Sequence, residues 1–493
     1  MSPFRPPKRH SRPMRALELD ARRALASSLA IVFATHLALS QCASASARDA
    51  GTFQNGVAVV TLCALLVGRL ATILSRAVPP TPSLATQIVC GVFLRNVPGI
   101  RTAIGVAGRD AAALARAAAL GLILTRAGLA LDAGRARRRA RDVALVALGP
   151  STMEMLVDAG LGVGMFGLPV STAFALGFLM CGISLAVVVP PAVDLQRRGY
   201  ASGVCDLILG ASAFDGIYCV VGFGICAGVA GSGGGADAAW RAPAQLFGGA
   251  ALGLIATKSA FALGLVTTKE KESTANADGT MILSIVMLML FASKELNMNG
   301  GGALACVVFC VSLATEWRTQ GLGRALREVS VFMNVLWNEF TAPLLFVIIG
   351  MALDLSALDG DTAGKAIAIV VIGGIARAIG VFLTTATIDS MNWSERAFLA
   401  MAWTPKATIQ AALAGVVYDQ ATLAHGVDSP QARDGEKLLQ SALLCILMTA
   451  PLGAWCIEYF STKLLRLDDE TTDVVVEVTT SNSGDKPSAE EHL

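Results

Sequence analysis

Charged residues are scarce in this chain of 493 residues. Asp, Glu, Lys and Arg make up 15% of it, whereas apolar residues make up 54%. Ordinary soluble domains carry about 25% charged residues, so this composition favours a protein that crosses the lipid bilayer many times. The formal net charge is only +2, which gives no basis for binding nucleic acid or another polyanion.

Signatures of metal centres and catalytic sites are also missing. The chain has four histidines and eleven cysteines but no CxxC pair. The cysteines are therefore interpreted as small buried hydrophobic residues rather than as metal ligands or disulfides. No HExxH motif, Ser/His dyad or pair of catalytic aspartates occurs in the apolar segments. We expect a protein that is not an enzyme and has no cofactor.

Apolar segments long enough to cross a bilayer run through most of the chain. A spanning helix needs about 20 such residues, and the pattern predicts about fourteen spans in an all-α polytopic membrane protein. Their approximate bounds are 24–43, 54–76, 81–100, 109–132, 142–163, 169–193, 203–230, 243–266, 279–296, 299–315, 328–354, 364–388, 394–418 and 438–463.

The charge of the connections predicts an orientation. An arginine-rich connection at 135–141 and other basic connections alternate with connections poor in Lys and Arg, and the basic segment 1–23 falls on the basic side. Because basic residues stay on the cytosolic side, both termini are predicted to be cytosolic. Segment 1–23 is interpreted as a tail rather than a transit peptide, since it contains Glu18 and Asp20. The transmembrane domain is then 24–465, and the acidic segment 466–493 is predicted to be a disordered tail. Plasma and organellar membranes both remain open.

An acidic residue inside an apolar run is the most informative functional signal. Asp215 lies in the run 207–221, and a carboxylate at membrane depth costs several kcal/mol unless it has a function or a partner. Just upstream, Pro190 and Pro191 interrupt another apolar segment. Because proline breaks the helical hydrogen-bond ladder, they are predicted to break that span. A broken span beside a buried carboxylate indicates an ion-transport site.

Two groups of five spans are predicted to form an inverted repeat. Spans three to seven correspond to spans ten to fourteen, and the fourth member of the second group is interrupted at Pro405. The third members carry Glu154 and Arg377 at matching positions. An odd number of spans per repeat inverts one half against the other, so these residues are expected to meet and form a buried ion pair.

Broken helices expose free backbone ends that need compensating groups. Lys406 is predicted to balance these ends, or to pair directly with Asp215. The hydroxyl groups of Ser184, Thr404 and Thr408, together with free carbonyl groups, are candidate ligands for a small hard cation such as Na⁺. Asp158 lies one turn beyond Glu154 on the same helical face, where it would line an access route or extend to water.

Six short segments, in this order, carry a family resemblance: GVFLRNVP at 91–98, LTRAGLALD at 124–132, AVVVP at 186–190, AFD at 213–215, PLLF at 343–346 and AWTPKATIQAA at 402–412. With them the chain resembles the cation:proton antiporter superfamily (sodium/hydrogen exchanger family), and more narrowly its NHA-type (SLC9B-like) branch. The resemblance implies an NhaA-like fold and a homodimer in a lipid bilayer. It implies a secondary active transporter that exchanges Na⁺, Li⁺ or K⁺ for protons by alternating access and serves pH homeostasis.

The resemblance also implies two moving parts and a site. The ion-binding core would be 142–232 and 364–465, and the scaffold for dimerisation would be 54–132 and 243–356. Asp215 would be the shared site for the proton and the transported cation, which is the only metal expected.

One departure from the family keeps an alternative open. The family has two adjacent acids here, or Asn then Asp, and the second acid is the principal ligand. In this chain Gly216 follows Asp215. The alternative is an antiporter-fold protein without exchange activity, with a sensor or regulatory role. A transporter of an organic anion is a third hypothesis, against which Asp215 argues.

Overall fold

A computed structural model describes the protein at residues 64–68, 83–97, 115–131, 134, 139–231, 236–267, 275–296, 298–352, 360–389 and 391–467. The predicted tail 1–23, the predicted span 24–43, most of the arginine-rich connection and the acidic tail from 468 onward lie outside the described residues. Within the described residues the regular structure is helical, and the only β pairing is an isolated bridge between Tyr200 and Leu467.

The helices follow one another with short connections and are numbered here in chain order. They are α1 (Ser83–Arg95), α2 (Ala140–Phe166), α3 (Val170–Cys181), α4 (Leu185–Arg197), α5 (Ser202–Gly231), α6 (Ala236–Ala262), α7 (Ala275–Glu295), α8 (Asn299–Thr319), α9 (Gly323–Leu336), α10 (Ala342–Ala352), α11 (Gly360–Thr385), α12 (Trp393–Ala402), α13 (Thr408–Leu413), α14 (Val416–His425) and α15 (Pro430–Leu464). A π-helical turn, Trp337–Thr341, joins α9 to α10, and residues 115–130 are also helical.

Eight helical segments of the described residues are long and apolar enough to cross a membrane. The described residues are therefore all-helical, with eight candidate membrane spans, as the prediction of an all-α polytopic membrane protein requires. The count of about fourteen spans and the inverted repeat stay predictions.

Local sequence signals explain where several helices begin and end. Helix α12 begins with a capping box, in which the Asn392 side chain accepts from the Glu395 N–H and the Glu395 carboxylate accepts from the Asn392 N–H. Helix α15 begins with Ser429 as its N-cap and Pro430 in its first turn. Helix α2 ends at Gly167, whose φ of 65° is a left-handed conformation that glycine adopts without strain.

Close packing between α2 and α11 positions the centre of the molecule. A side chain at Gly380 on α11 would lie 2.8 Å from the Cα of Pro150 on α2, so the two helices touch through their backbones. Small residues permit this approach in membrane proteins, where packing rather than water exclusion joins helices. The consequence is that polar side chains one turn away on each helix are forced into direct contact.

A second packing group involves α1, α6, α8 and α10. Gly91 of α1 and Gly350 of α10 face each other so closely that a Cβ on either would overlap the other helix's backbone. Gly253 of α6 meets the backbone of α8 in the same way, with Ala305 O at 2.6 Å from a built Cβ. These helices belong to the segments predicted to form the scaffold.

Candidate functional site

Two interruptions in the helices meet near the middle of the protein. Residues 182–184 separate α3 from α4, and residues 403–407 separate α12 from α13. The N–H of Ser184 donates to the carbonyl of Pro405 across 2.8 Å. The two interruptions are therefore joined by a backbone hydrogen bond.

The first interruption does not lie at the predicted prolines. Pro190 and Pro191 are inside α4, in its second turn, so their prediction as helix breaks was wrong. Each proline removes one backbone hydrogen bond, which a membrane helix tolerates where neighbouring groups re-satisfy the backbone. Pro405, by contrast, lies in the second interruption as predicted.

The side chain of Gln410 stabilises the unwound backbone of the first interruption. Its Nε2 donates to the carbonyl of Leu179 at 2.8 Å and to that of Gly182 at 2.7 Å. A Cβ at Gly182 would lie 3.0 Å from Ile409 Cδ1, so glycine allows α13 to approach this closely. The amide thus replaces helical partners that these carbonyl groups lack.

Buried positive charges neutralise the C-terminal end of α3. The carbonyl of Cys181 accepts from Arg377 Nη1 and, at 3.2 Å, from Lys406 Nζ. The same two bases donate to Glu154 Oε2, each at 2.5 Å. All three side chains are 2–4% exposed. The predicted partners Glu154 and Arg377 are therefore in contact, and Lys406 contacts Glu154 and a helix end rather than Asp215.

Asp215 lies on α5 and is fully buried, with its carboxylate against the first interruption. Its Oδ2 accepts from the Ile183 N–H at 2.9 Å, and its Oδ1 accepts from Arg377 Nη2 at 2.8 Å. The hydroxyl of Ser151 also donates to Oδ1. These donors, one of them charged, stabilise the ionised carboxylate.

The three predicted hydroxyl ligands are not equivalent. Ser184 Oγ and Thr408 Oγ1 are buried without a hydrogen-bond partner among the described residues. The Thr404 hydroxyl, which lies in the second interruption, instead donates to the carbonyl of Ala400 at the end of α12 at 3.3 Å. Across the described residues, none of the three hydroxyls hydrogen-bonds to Asp215.

Sequence reasoning missed four groups that build the site: Ser151, Cys181, Ile183 and Gln410. Cys181 and Ile183 act through backbone atoms, which no side-chain pattern reveals. Ser151 lies one helical turn before Glu154 on the same face, and this spacing was the available signal.

Two cavities lie at opposite ends of α13. One, of about 210 Å³, is lined by its first residue, Thr408, and by Arg126 and Pro190. The other, of about 110 Å³, is lined by its last residue, Leu413, and by Asp419. Helix α13, which follows the second interruption, therefore separates the two cavities.

Interrupted membrane helices that enclose buried charges are typical of secondary transporters, which bind their substrates where such helices meet. Comparison with known proteins identifies the family. The sequence model described as "Sodium/hydrogen exchanger, transmembrane" matches residues 54–458.

Curated relatives agree with the family model. The chain is 31% identical over 433 residues to sodium/hydrogen exchanger 9B2 of Homo sapiens, covering 86% of this chain and 78% of that protein. It is 28% identical to sodium/hydrogen exchanger 9B1 of Homo sapiens, covering 86% of this chain and 81% of that protein. The chain therefore belongs to the sodium/hydrogen exchanger family, in its SLC9B-like branch, which confirms the predicted resemblance.

A solved structure shares the fold. The sodium proton antiporter MjNhaP1 from Methanocaldococcus jannaschii aligns with a TM-score of 0.65, covering 83% of this chain and 98% of that one. At 17% identity, this likeness shows the antiporter fold alone. The protein is thus a multi-pass integral membrane protein of an antiporter family.

Proposed function

We propose that the protein is a secondary active transporter, not an enzyme, and exchanges a monovalent cation (Na⁺, Li⁺ or K⁺) for protons by alternating access. Asp215 is the site that the cation and the proton share. The observation that carries this proposal is the complete burial of the Asp215 carboxylate where the two interruptions meet. A buried ionisable group beside unwound membrane helices is the arrangement expected of a coupling-ion site.

The chemistry of the surrounding atoms suits a small hard cation. The cation displaces the donors of Asp215 and takes oxygen ligands in their place. Ser184 and Thr408 bring buried hydroxyl oxygens that have no hydrogen-bond partner among the described residues. Thr404 joins them by turning its hydroxyl away from the Ala400 carbonyl. When the cation leaves, a proton or Arg377 neutralises Asp215 again.

The larger architecture follows the same proposal. Segments 142–232 and 364–465 form a core that moves against a scaffold formed by 54–132 and 243–356. About fourteen spans form an inverted repeat with two crossing broken helices. Both termini lie in the cytosol, and the scaffolds of two protomers pair to form a homodimer. The cavities at the two ends of α13 become the two access routes.

Family membership and the charged network favour exchange over a fold that has lost it. Arg377 and Lys406 both contact Glu154, although Gly216 stands where the family resemblance implies an acid. Buried charges of this kind are costly, and a protein without ion transport would gain from apolar replacements.

Reconstitution in liposomes tests the proposal. An imposed gradient of Na⁺, Li⁺ or K⁺ should drive a proton flux that an enclosed pH-sensitive dye records. Asp215→Asn should abolish this flux while the protein remains folded, because asparagine keeps the shape but not the charge. Asp361→Asn is the matched control, since Asp361 is exposed and pairs with Lys365 within a single helix. Absence of cation-driven flux in the wild-type protein across the neutral pH range would overturn the proposal.

A further inference from the structure

One buried acid of the core forms no ion pair with a described residue. Asp158 on α2 is 1% exposed, and its Oδ1 has no hydrogen-bond donor among the described residues. The neighbouring acids differ, since Glu154 receives two charged donors and Asp215 receives donors from three residues. An unpaired carboxylate this deep is stable only when it is neutralised. A proton or a cation must therefore reach it.

The residue opposite Asp158 on α11 is a glycine, which leaves room for the Asp158 carboxylate. Glu154 faces Arg377, and one turn further along the antiparallel pair of helices Asp158 faces Gly373. A Cβ at Gly373 would overlap the Asp158 carboxylate. The helix that supplies a base to Glu154 thus supplies only space to Asp158.

The fixed charges of this buried network sum to one negative charge. Its acids are Glu154, Asp158 and Asp215, and its bases are Arg377 and Lys406. Both bases form ion pairs with Glu154, and Arg377 also with Asp215, so Asp158 is the acid of this network that has no ion pair among the described residues.

The groups that face Asp158 come from each surrounding element. Its carboxylate interacts electrostatically with Glu154 on its own helix, Arg377 on α11, Lys406 in the second interruption and the Cys445 thiol on α15. A change in the charge bound near Arg377 therefore changes the electrostatic potential at Asp158.

We infer that Asp158 carries the exchanged proton, while Asp215 stays ionised and holds the cation. This inference rests on the proposed exchange of a cation for protons, but it moves the proton from Asp215 to Asp158, so that each of two carboxylates has one task. A cation that enters beside Asp215 raises the positive charge of the network, and Asp158 releases its proton to an access route. When the cation leaves, Asp158 takes up a proton again. One positive charge replaces one other, so the exchange is one for one and electrically neutral.

The separation of the two carboxylates supports two sites rather than one. Ser151, which donates to Asp215, precedes Asp158 by seven residues of α2, or about 10 Å along the helix axis. A single small cation does not bridge that distance. The coupling between the two acids is electrostatic and passes through the Glu154–Arg377 pair.

Binding measured against pH tests the inference on the full-length purified protein. The probe is Na⁺ alone, and its apparent affinity is taken from its stabilisation of the protein against heat. In the wild type the affinity should change about tenfold per pH unit over the working range, as linkage to one proton requires. Asp158→Asn should bind Na⁺ with an affinity that no longer depends on pH, and should lose exchange. Asp361→Asn should behave as the wild type.

The stability of Asp158→Asn decides against a merely structural role. Removing a buried acid without a partner should leave the sodium-free protein at least as stable as the wild type. A variant that fails to fold would show that Asp158 is structural and would overturn the inference. An unchanged pH dependence in Asp158→Asn would also overturn it, but would leave Asp215 as the shared site and the proposed function intact. Wild-type protein that binds Na⁺ with the stated pH dependence but shows no flux would overturn only the proposed function.

Discussion

Replacing Glu154 with glutamine removes the carboxylate that both buried bases share. Arg377 Nη1 and Lys406 Nζ each donate to Glu154 Oε2 at 2.5 Å. A hydrogen bond to a charged group contributes about 1.5–3 kcal/mol, and two such bonds weaken in Glu154→Gln. Removing one member of a buried ion pair costs about 3–5 kcal/mol. Because the glutamine oxygen still accepts from one base, we expect a loss near the lower limit, about 3 kcal/mol.

Unfolding of the purified protein in mixed micelles measures this loss. The matched control is Asp361→Asn, which breaks an exposed ion pair with Lys365 on α11. Exposed pairs of this kind contribute about 0.3–0.5 kcal/mol, so the two variants should differ severalfold. Glu154→Gln combined with Lys406→Met removes one charge of each sign and should recover part of the stability.

The result that would refute this reasoning is a Glu154→Gln variant that loses less than about 1 kcal/mol, the upper value for an exposed pair. That outcome would mean that water reaches the network and screens its charges. The buried electrostatics on which the site is built would then be wrong, whatever the flux measurements showed.

Two further substitutions test the space around the acids. Gly216→Asp should fold, because its Cβ would lie 3.2 Å from the movable Leu185 Cδ1 and 3.7 Å from Ile409 Cδ1. The added acid should raise the apparent cation affinity or make exchange electrogenic, and an unchanged profile in a membrane-current assay would place the ligands elsewhere. Gly373→Ala should lower the free energy of unfolding by about 1–3 kcal/mol through overpacking, since its Cβ meets the Asp158 carboxylate. Adding Asp158→Ala should restore that stability without restoring exchange, and a single variant as stable as the wild type would contradict the packing.

The contact between Glu154 and Arg377 could be predicted because it depends on a pattern that spans the whole chain. Matching interruptions placed the two residues at equivalent positions, and charges in apolar spans demand partners. Composition alone predicted the helical membrane class. The six ordered motifs then identified the family, which residues 54–458 confirm.

The position of the first interruption could not be predicted, because it depends on contacts with distant helices that no sequence pattern marks. Pro190 and Pro191 are strong local signals for a break, yet the chain unwinds at 182–184 because Gln410 and Asp215 satisfy the backbone there. A proline in the sequence marks the position of a helix break only when neighbouring groups cannot satisfy the carbonyl groups that it leaves without a donor.

The orientation of Asp158 was open for the same reason. Its helical position was compatible with an access route or with water at the membrane edge. The structure buries it against α11 because Gly373 leaves room for its carboxylate. A glycine more than two hundred residues away in sequence thus determines whether the acid meets solvent or the charged network.

The departure at Gly216 acquires a physical meaning from this arrangement. An exchanging site needs one fixed negative charge more than its fixed positive charges. A fully balanced site does not attract a mobile cation, and a larger excess of charge cannot be buried. Losing the second acid of the family motif would bring this network to balance if Asp158 were absent. With Asp158 buried beside it, the same network keeps one negative charge over. Under the proposed function, ion exchange depends on the total charge enclosed with Arg377 and Lys406, and that charge is supplied from α2 as well as from α5.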